Sequence, residues 1–447
     1  MKNTNIKKNA LHAAPFACLL GACMPALAAD NTSLSWNGIT LFGTIDVDIS
    51  HQNHGAPLSQ DFPAGATYLI QKYSNKSVTS VAPNGLSQSK IGLKGKEELV
   101  GGLAGIFNLE MGFQPTSGNL TDGPRSLVHN NGVPLSQQVT ASDSARAGQL
   151  FNGSAYAGIE SARWGTLTAG RNNTPLLDLI GKYDPQGGSY AFSLIGYSGT
   201  TAGGGATEDT RLDDSLKYSF KHDWFRLSSL YQFGKSDASP GEAWQVGAGA
   251  DYGAFSLDGM YAHKKDAISA ASLSAAQAAT APAGSLAATI SDNTAYALAA
   301  SYATPSTKIY GGFERIRFEN PDLPITNAFS GLGGYSFSVI NNNAFPHPKV
   351  LKVYWVGLKY LISNDFDVTG AWYHLGQNAF GATKCSGTSA ANCSGTQNVY
   401  SVKFDYRLSK RWDWYFGLMY SRVEDGLASG FLHNAVLSPT MGIRFSF

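Results

Sequence analysis

Met441-Gly442-Ile443-Arg444-Phe445-Ser446-Phe447 closes the chain with alternating apolar and polar residues and stops on an aromatic. The same parity recurs upstream. In Tyr400-Ser401-Val402-Lys403-Phe404-Asp405-Tyr406-Arg407-Leu408 every even residue is apolar and every odd one is polar or charged. Successive side chains of a strand point to opposite faces, so one face of such a segment meets hydrocarbon while the other meets water. Similar outward stripes occur at Leu216, Tyr218 and Phe220, at Trp244, Val246 and Ala248, and at Tyr296, Leu298 and Tyr302. In Trp412 to Tyr420, Trp412 and Tyr420 fall where aromatic girdles sit at the two membrane interfaces. A soluble sheet with one buried face would need a second sheet or helices over these stripes, and no amphipathic helix of useful length is visible.

Composition agrees. Gly is abundant at 50 residues, aromatics reach 12% and charged residues only 15%, with apolar residues in short alternating runs. Beyond the N-terminus no stretch of about 20 apolar residues exists, which excludes a helical span. A closed barrel is the other way to satisfy every backbone polar group in lipid. Candidate strands are joined by eight long connections, at 53–86, 115–148, 172–213, 235–242, 265–293, 319–349, 377–396 and 425–437. Seven tight turns alternate with them, near Leu99 to Gly102, Ala162-Arg163, Asp223-Trp224, Gly253-Ala254, Pro305-Ser306, Asn364-Asp365 and Lys410-Arg411. The expected fold is therefore all-β: a 16-stranded antiparallel transmembrane β-barrel, long loops outside and short turns on the periplasmic side. The Ala/Ser-rich stretch 267–293, interrupted by Pro282 and Gly284, reads as an external loop with at most a helical turn.

Residues 1–28 read as a cleaved signal peptide: Lys2, Lys7 and Lys8, an apolar core from Ala13 to Cys23, and Ala26-Leu27-Ala28 before the cut. A lipoprotein signal at Leu20-Gly21-Ala22-Cys23 is the competing reading, and it leaves Ala26-Leu27-Ala28 unused. Residues 29–447 then form one barrel domain in the outer membrane of a Gram-negative bacterium, among its lipid and lipopolysaccharide. Removing the signal takes three lysines and no acid, leaving 30 basic against 32 acidic residues. That balance argues against nucleic-acid binding. Of four cysteines, Cys18 and Cys23 leave with the signal. Cys385 and Cys393 remain in a Gly/Ser/Ala/Asn loop of an exported chain, where a disulfide is the natural reading. A metal site there lacks a second Cys or His pair at ligand spacing.

Several segments resemble the opening strands of the trimeric general porins of β-proteobacteria. They are Trp36 to Asp48 with Gly38-Ile39-Thr40-Leu41-Phe42-Gly43-Thr44-Ile45-Asp46, Ser89 to Leu99, Phe107-Asn108-Leu109-Glu110-Met111-Gly112-Phe113, Ala155-Tyr156-Ala157-Gly158-Ile159, and Trp164 to Pro175. The resemblance implies a homotrimer of barrels that let small hydrophilic solutes and ions diffuse passively. It also implies a third external loop folded inward as a constriction, here about 172–213, and a terminal Phe447 recognised by the barrel-assembly machinery. Three features depart from the family pattern: Lys90 where Arg is usual, the Cys385/Cys393 loop, and a long second loop at 115–148. They bear on solute preference.

Parity turns Lys90, Lys94, Lys96, Lys217, Lys221, Lys403 and Arg407 toward the lumen. A charge on the lipid face at mid-bilayer would cost about 2–4 kcal/mol, which supports the same assignment. Arg171 shares parity with Leu167 and Ala169, so it lines the pore only if a bulge or the start of the loop reorients it. The inward loop and its exit carry Asp178, Asp184, Glu208, Asp209, Asp213 and Asp214. Acids facing a basic wall would set a transverse field that favours dipolar solutes over apolar ones. Each charge, taken singly, is equally readable as a solvated lumen residue. Two other functions compete: a channel selective for an aromatic acid, sugar or phosphate, and, more distantly, a barrel-type enzyme. The nine His residues show no nucleophile–base–acid context, and no cofactor is implied. Adhesion by the external loops is a possible secondary role.

Overall fold

The computed structural model describes residues 34–61, 76–139, 146–196, 211–234, 241–383, 385 and 390–447. Residues 1–28, expected to be a signal peptide, and Glu208 and Asp209 lie outside the described residues. Sixteen strands form the wall. They are β1 (Ile39–Gln52), β2 (Lys90–Glu98), β3 (Leu103–Gly112), β4 (Ala155–Ser161), β5 (Gly165–Asn173), β6 (Arg211–His222), β7 (Phe225–Gln232) and β8 (Ala243–Tyr252). The other eight are β9 (Phe255–Ala271), β10 (Leu286–Ala303), β11 (Thr307–Glu319), β12 (Lys349–Leu361), β13 (Phe366–Gln377), β14 (Gly395–Arg407), β15 (Trp412–Asp425) and β16 (Ala435–Ser446). Each pairs antiparallel with its neighbours, and β1 pairs with β16 from Thr44↔Ser446 to Ser50↔Thr440, which closes the cylinder. Among the described residues every wall strand is paired on both edges, as hydrocarbon demands.

The chain end is built into this seam. Phe447 exchanges both backbone hydrogen bonds with Gly43, 2.9 and 3.0 Å, and a Cβ on Gly43 would lie 2.4 Å from the Phe447 ring. Glycine at position 43 makes room for the terminal aromatic.

Parity holds around the wall. On β14, Ser401, Lys403 and Asp405 are buried inside while Tyr400 and Tyr406 are exposed outside. Outward aromatics form two belts. Trp224, Tyr252, Tyr302, Tyr360 and Trp412 lie at the short turns, and Tyr231, Trp244, Tyr261, Tyr296, Tyr354, Tyr400 and Tyr420 lie nearer the loops. The belts run from β7 round to β15. From β16 round to β5 the exposed wall residues are instead aliphatic, Leu437 and Ile443, then Leu41, Ile45, Ile49, Ile91, Leu93, Ile159 and Leu167, with Trp36 and Trp164 exposed at the short-turn end.

The loop at 265–293 differs from the expectation of an external loop. β9 continues to Ala271 and β10 begins at Leu286, leaving only 272–285 as the tip, with one helical turn at Ala275–Ala278. The reason is packing. Leu286, Ala288 and Ile290 are buried against Leu127, Phe329 and Phe337, so the small Ala/Ser residues belong to strands with a covered apolar face. The connection at 319–349 also holds two short strands, Phe329–Leu332 and Tyr335–Asn341, and the second pairs parallel with the start of β10. Likewise Val78–Pro83, within 53–86, pairs with β1.

The second loop reaches this cap. Its helix α1 (Gly123–His129) is capped by Asp122, whose side chain accepts from the N–H of Arg125. Ser272 donates to the carbonyl of Leu127 (2.8 Å), Asn131 donates to that of Ser285 (2.7 Å), and the Tyr335 hydroxyl donates to Asp122 (2.8 Å). A segment that leaves the wall after β3 is thus fastened to β9 and β10.

Candidate functional site: the lumen and its inward loop

After β5 the chain enters the barrel. Thr174 caps helix α2 (Pro175–Tyr183), Pro175 starts it with its fixed φ, and Leu176, Leu179, Ile180 and Tyr183 are buried against the wall. Gln245 accepts from the N–H of Leu176 (3.2 Å), and the Trp355 indole donates to the carbonyl of Tyr183 (3.0 Å). Beyond the helix, Asp184 accepts from the Tyr373 hydroxyl (2.6 Å) and from the N–H of Gly188 (2.7 Å). Burial pushes the Asp184 carboxyl up, against the hydrogen bonds that pull it down. Gln186 then donates to Ser401 (3.0 Å), Ser189 donates to the Gly85 carbonyl (2.7 Å), and Phe192 meets Tyr415 edge to face at 6.3 Å. The loop therefore runs along the inner wall from β8 to β15. The bore is left between it and the wall of β1 to β7.

That open wall carries a basic cluster around one acid. The Glu110 carboxylate takes Lys90 at 2.8 Å, Arg146 at 3.3 Å and Arg211 at 3.5 Å. Arg146 also donates to Asn152 (2.9 Å), which holds Gly112 and Thr121 by further bonds. Lys94 stands beside Lys90 over the Phe42 ring, at 5.5 and 5.9 Å.

Arg171 does turn inward at a bulge. The β5–β6 register shifts between Gly170 and Asn172, and Gly170 adopts φ +132°, a conformation open to glycine. Arg171 then donates to the carbonyls of Gly153 (2.7 Å) and Asn152 (3.2 Å) and pairs with Asp213 (2.6 Å). It is buried, so it braces the base of the loop. Lys217 pairs with Asp178 of α2 at 2.6 Å. Asp214, at φ +48°, accepts the N–H of Phe233 on its carbonyl (3.1 Å).

The remaining basic residues lie toward the short turns. Lys96 pairs with Glu160 (2.7 Å), Arg407 with Asp367 (3.1 Å), and Lys403 stands 3.7 Å from Asp405. Lys221 lines a cavity of about 450 Å³ between α2 and the wall, with Asp178, Lys182, Arg226, Glu160 and Asp258. Cys385 and Cys393 form a disulfide in the loop between β13 and β14. Asp184 is enclosed, whereas Asp178, Asp213 and Asp214 are exposed, and Asp178 and Asp213 hold the wall cations Lys217 and Arg171.

The model of the Gram-negative porin family matches residues 14–426. The chain belongs to the Gram-negative porin family. It is 26% identical over 417 residues to an outer membrane porin protein of Bordetella pertussis, covering 92% of this chain and 93% of that one. Among solved structures, the anion-selective porin from Comamonas acidovorans aligns with TM-score 0.60 and 18% identity, over 92% of this chain and 99% of that one. OmpT of Vibrio cholerae aligns with TM-score 0.56 and 12% identity, over 93% and 100%. This porin is an outer-membrane channel for passive diffusion, in keeping with a wet lumen inside a lipid-facing cylinder.

Glu110, Arg146 and Arg211 were not singled out in the sequence. Glu110 shares the inward parity of Asn108, so β3 offered a signal. Arg211 was reachable by extending β6 back to its first residue. Arg146 ends a loop and carries no periodic mark.

Proposed function

We propose that this porin is a homotrimer whose inward loop, about 172–213, narrows each bore to an eyelet between Asp178 and Asp213 on one side and Lys90, Lys94, Arg146 and Arg211 on the other. The eyelet passes small hydrophilic solutes and prefers anions. The observation that carries the preference is the Glu110 cluster: three cations within 3.5 Å of one buried carboxylate leave a positive excess at the wall. Charged groups and diameter set selectivity in such a bore. The arc from β16 to β5, aliphatic on the wall and with Trp36 and Trp164 exposed at its short-turn end, supports a subunit interface there, since interfaces favour apolar packing over headgroup anchoring. Unheated gel mobility and cross-linking of the purified protein test the trimer. Reversal potentials under a salt gradient test the preference.

In this reading residues 1–28 are the export signal, Phe447 is read by the assembly machinery from its place at the seam, and the channel catalyses nothing. Assays of ester and peptide hydrolysis check the last point. A second reading, a channel selective for one solute class, rests on the cavity beside α2, where Lys182, Lys221 and Arg226 face Asp178, Asp258 and Glu160. That arrangement suits a small zwitterion or carboxylate. Competition between candidate solutes in single-channel recordings separates the two readings.

A further inference from the structure

On the lipid side of β11 and β12, Arg315 and Lys352 stand directly opposite each other. Like charges facing across a ladder destabilise a sheet. Both residues are on the outward parity, with Phe313, Tyr354 and Tyr296 as neighbours. Tyr296, opposite Arg315, has its ring 5.9 Å from the guanidinium. Among the described residues neither cation has an ion pair; the nearby Arg317 has one, with Glu319 at 2.7 Å.

The next strand leaves space beside them. Lys352 is opposite Gly376, which has no side chain, and His374 stands two residues along, opposite Tyr354. The His374 ring is held by Asn398 at 2.9 Å. The result is a shallow outward niche with Arg315, Lys352 and His374 on its sides and a backbone floor at Gly376.

Its height in the membrane follows from the strand. Lys352 lies eight residues from Tyr360 of the turn-side belt. At about 3.3 Å per residue and a tilt of about 40°, that is roughly 20 Å along the membrane normal. The niche therefore sits at the loop-side boundary of the apolar band, level with Tyr296. In the outer membrane this boundary holds the headgroups of the external leaflet.

We propose that Arg315 and Lys352, with His374 at the edge, form a site for a phosphorylated glycolipid headgroup of the external leaflet. A phosphate between the two cations converts a repulsive pair into two charge-assisted hydrogen bonds, the guanidinium donating from its fork and the ammonium as a point charge. Basic clusters at the membrane surface bind anionic headgroups in this way. The proposal rests on the outer-membrane orientation, long loops outward, and on nothing in the bore.

The test is native mass spectrometry of the detergent-purified porin incubated with lipid A bearing two phosphates, with its dephosphorylated form, and with phosphatidylglycerol. The porin is expected to retain the bis-phosphorylated lipid preferentially. R315Q/K352Q should weaken that retention by about tenfold or more, as the loss of one to two charge-assisted bonds implies. R315K/K352R should keep most of it, and K410Q/R411Q at a periplasmic turn should leave it unchanged. Undiminished retention by R315Q/K352Q, or equal retention of phosphatidylglycerol, overturns the site. If R315Q/K352Q fails to fold, the lipid comparison on the unmodified porin decides: indifference to the phosphates overturns the site and preference supports it. Single-channel conductance is read on the same samples. A conducting porin without lipid preference refutes this proposal alone, and a lipid-retaining protein without conductance refutes the pore alone.

Discussion

Ion pairs on the open wall and ion pairs at the loop expose opposite members. On the wall the Lys90 side chain is 34% exposed and its partner Glu110 only 6%. At the loop Asp178 is 51% exposed and its partner Lys217 only 13%. Arg171 and Asp213 repeat the loop pattern, and Lys359 and Arg407 over the buried Asp367 repeat that of the wall. The cause is reach. Wall acids lie close to the strand plane under several donors, and the longer lysines extend past them into water. At the loop, short aspartates project into the bore while the wall cations that reach them are covered. Net charge counts miss this, because what a solute meets is the wet member of each pair.

The comparison breaks most severely at Glu110. Glu110→Gln leaves Arg146 and Arg211 buried beside Lys90 without their carboxylate, and removing one partner of a buried pair costs about 3 kcal/mol or more. The folded, heat-resistant gel band should shift to clearly lower temperature. Lys90→Gln with Lys94→Gln removes wet charges only. At about 8 Å in water and about 0.1 M salt each is worth about 0.25 kcal/mol to a passing ion, with opposite sign for anion and cation, so the anion-to-cation permeability ratio should fall about fivefold while heat resistance stays. Asp178→Asn should move the ratio the other way by about twofold, since one wet acid is lost from the opposite side. Reduction of Cys385–Cys393 should be the smallest perturbation. It opens an eight-residue separation in the loop between β13 and β14, and conductance should stay the same before and after reductant.

The wall was legible before the structure because lipid on one side and water on the other impose a period of two, which Tyr400 to Leu408 displays residue by residue. All seven tight turns were readable for the same reason. Features that depend on contacts between distant segments were not. The continuation of β9 and β10 through 265–293 comes from Leu127, Phe329 and Phe337, which no local pattern ties to Ile290. Arg171 broke parity in the sequence, and only the shift at Gly170 shows how it turns inward. Asp184 read as one loop acid among six, yet Tyr373 and Gly188 close it off. Parity says which way a strand side chain points. It is silent about loops, where half of the bore is made.

In the proposed channel a basic wall faces an acidic loop across a conducting lumen. Single-channel recording in planar bilayers under a potassium chloride gradient tests it most directly. Ohmic, long-lived steps are expected, with a reversal potential on the anion side that moves toward the cation side in Lys90→Gln/Lys94→Gln and further to the anion side in Asp178→Asn. No steps, or one reversal potential shared by all three proteins, would contradict it.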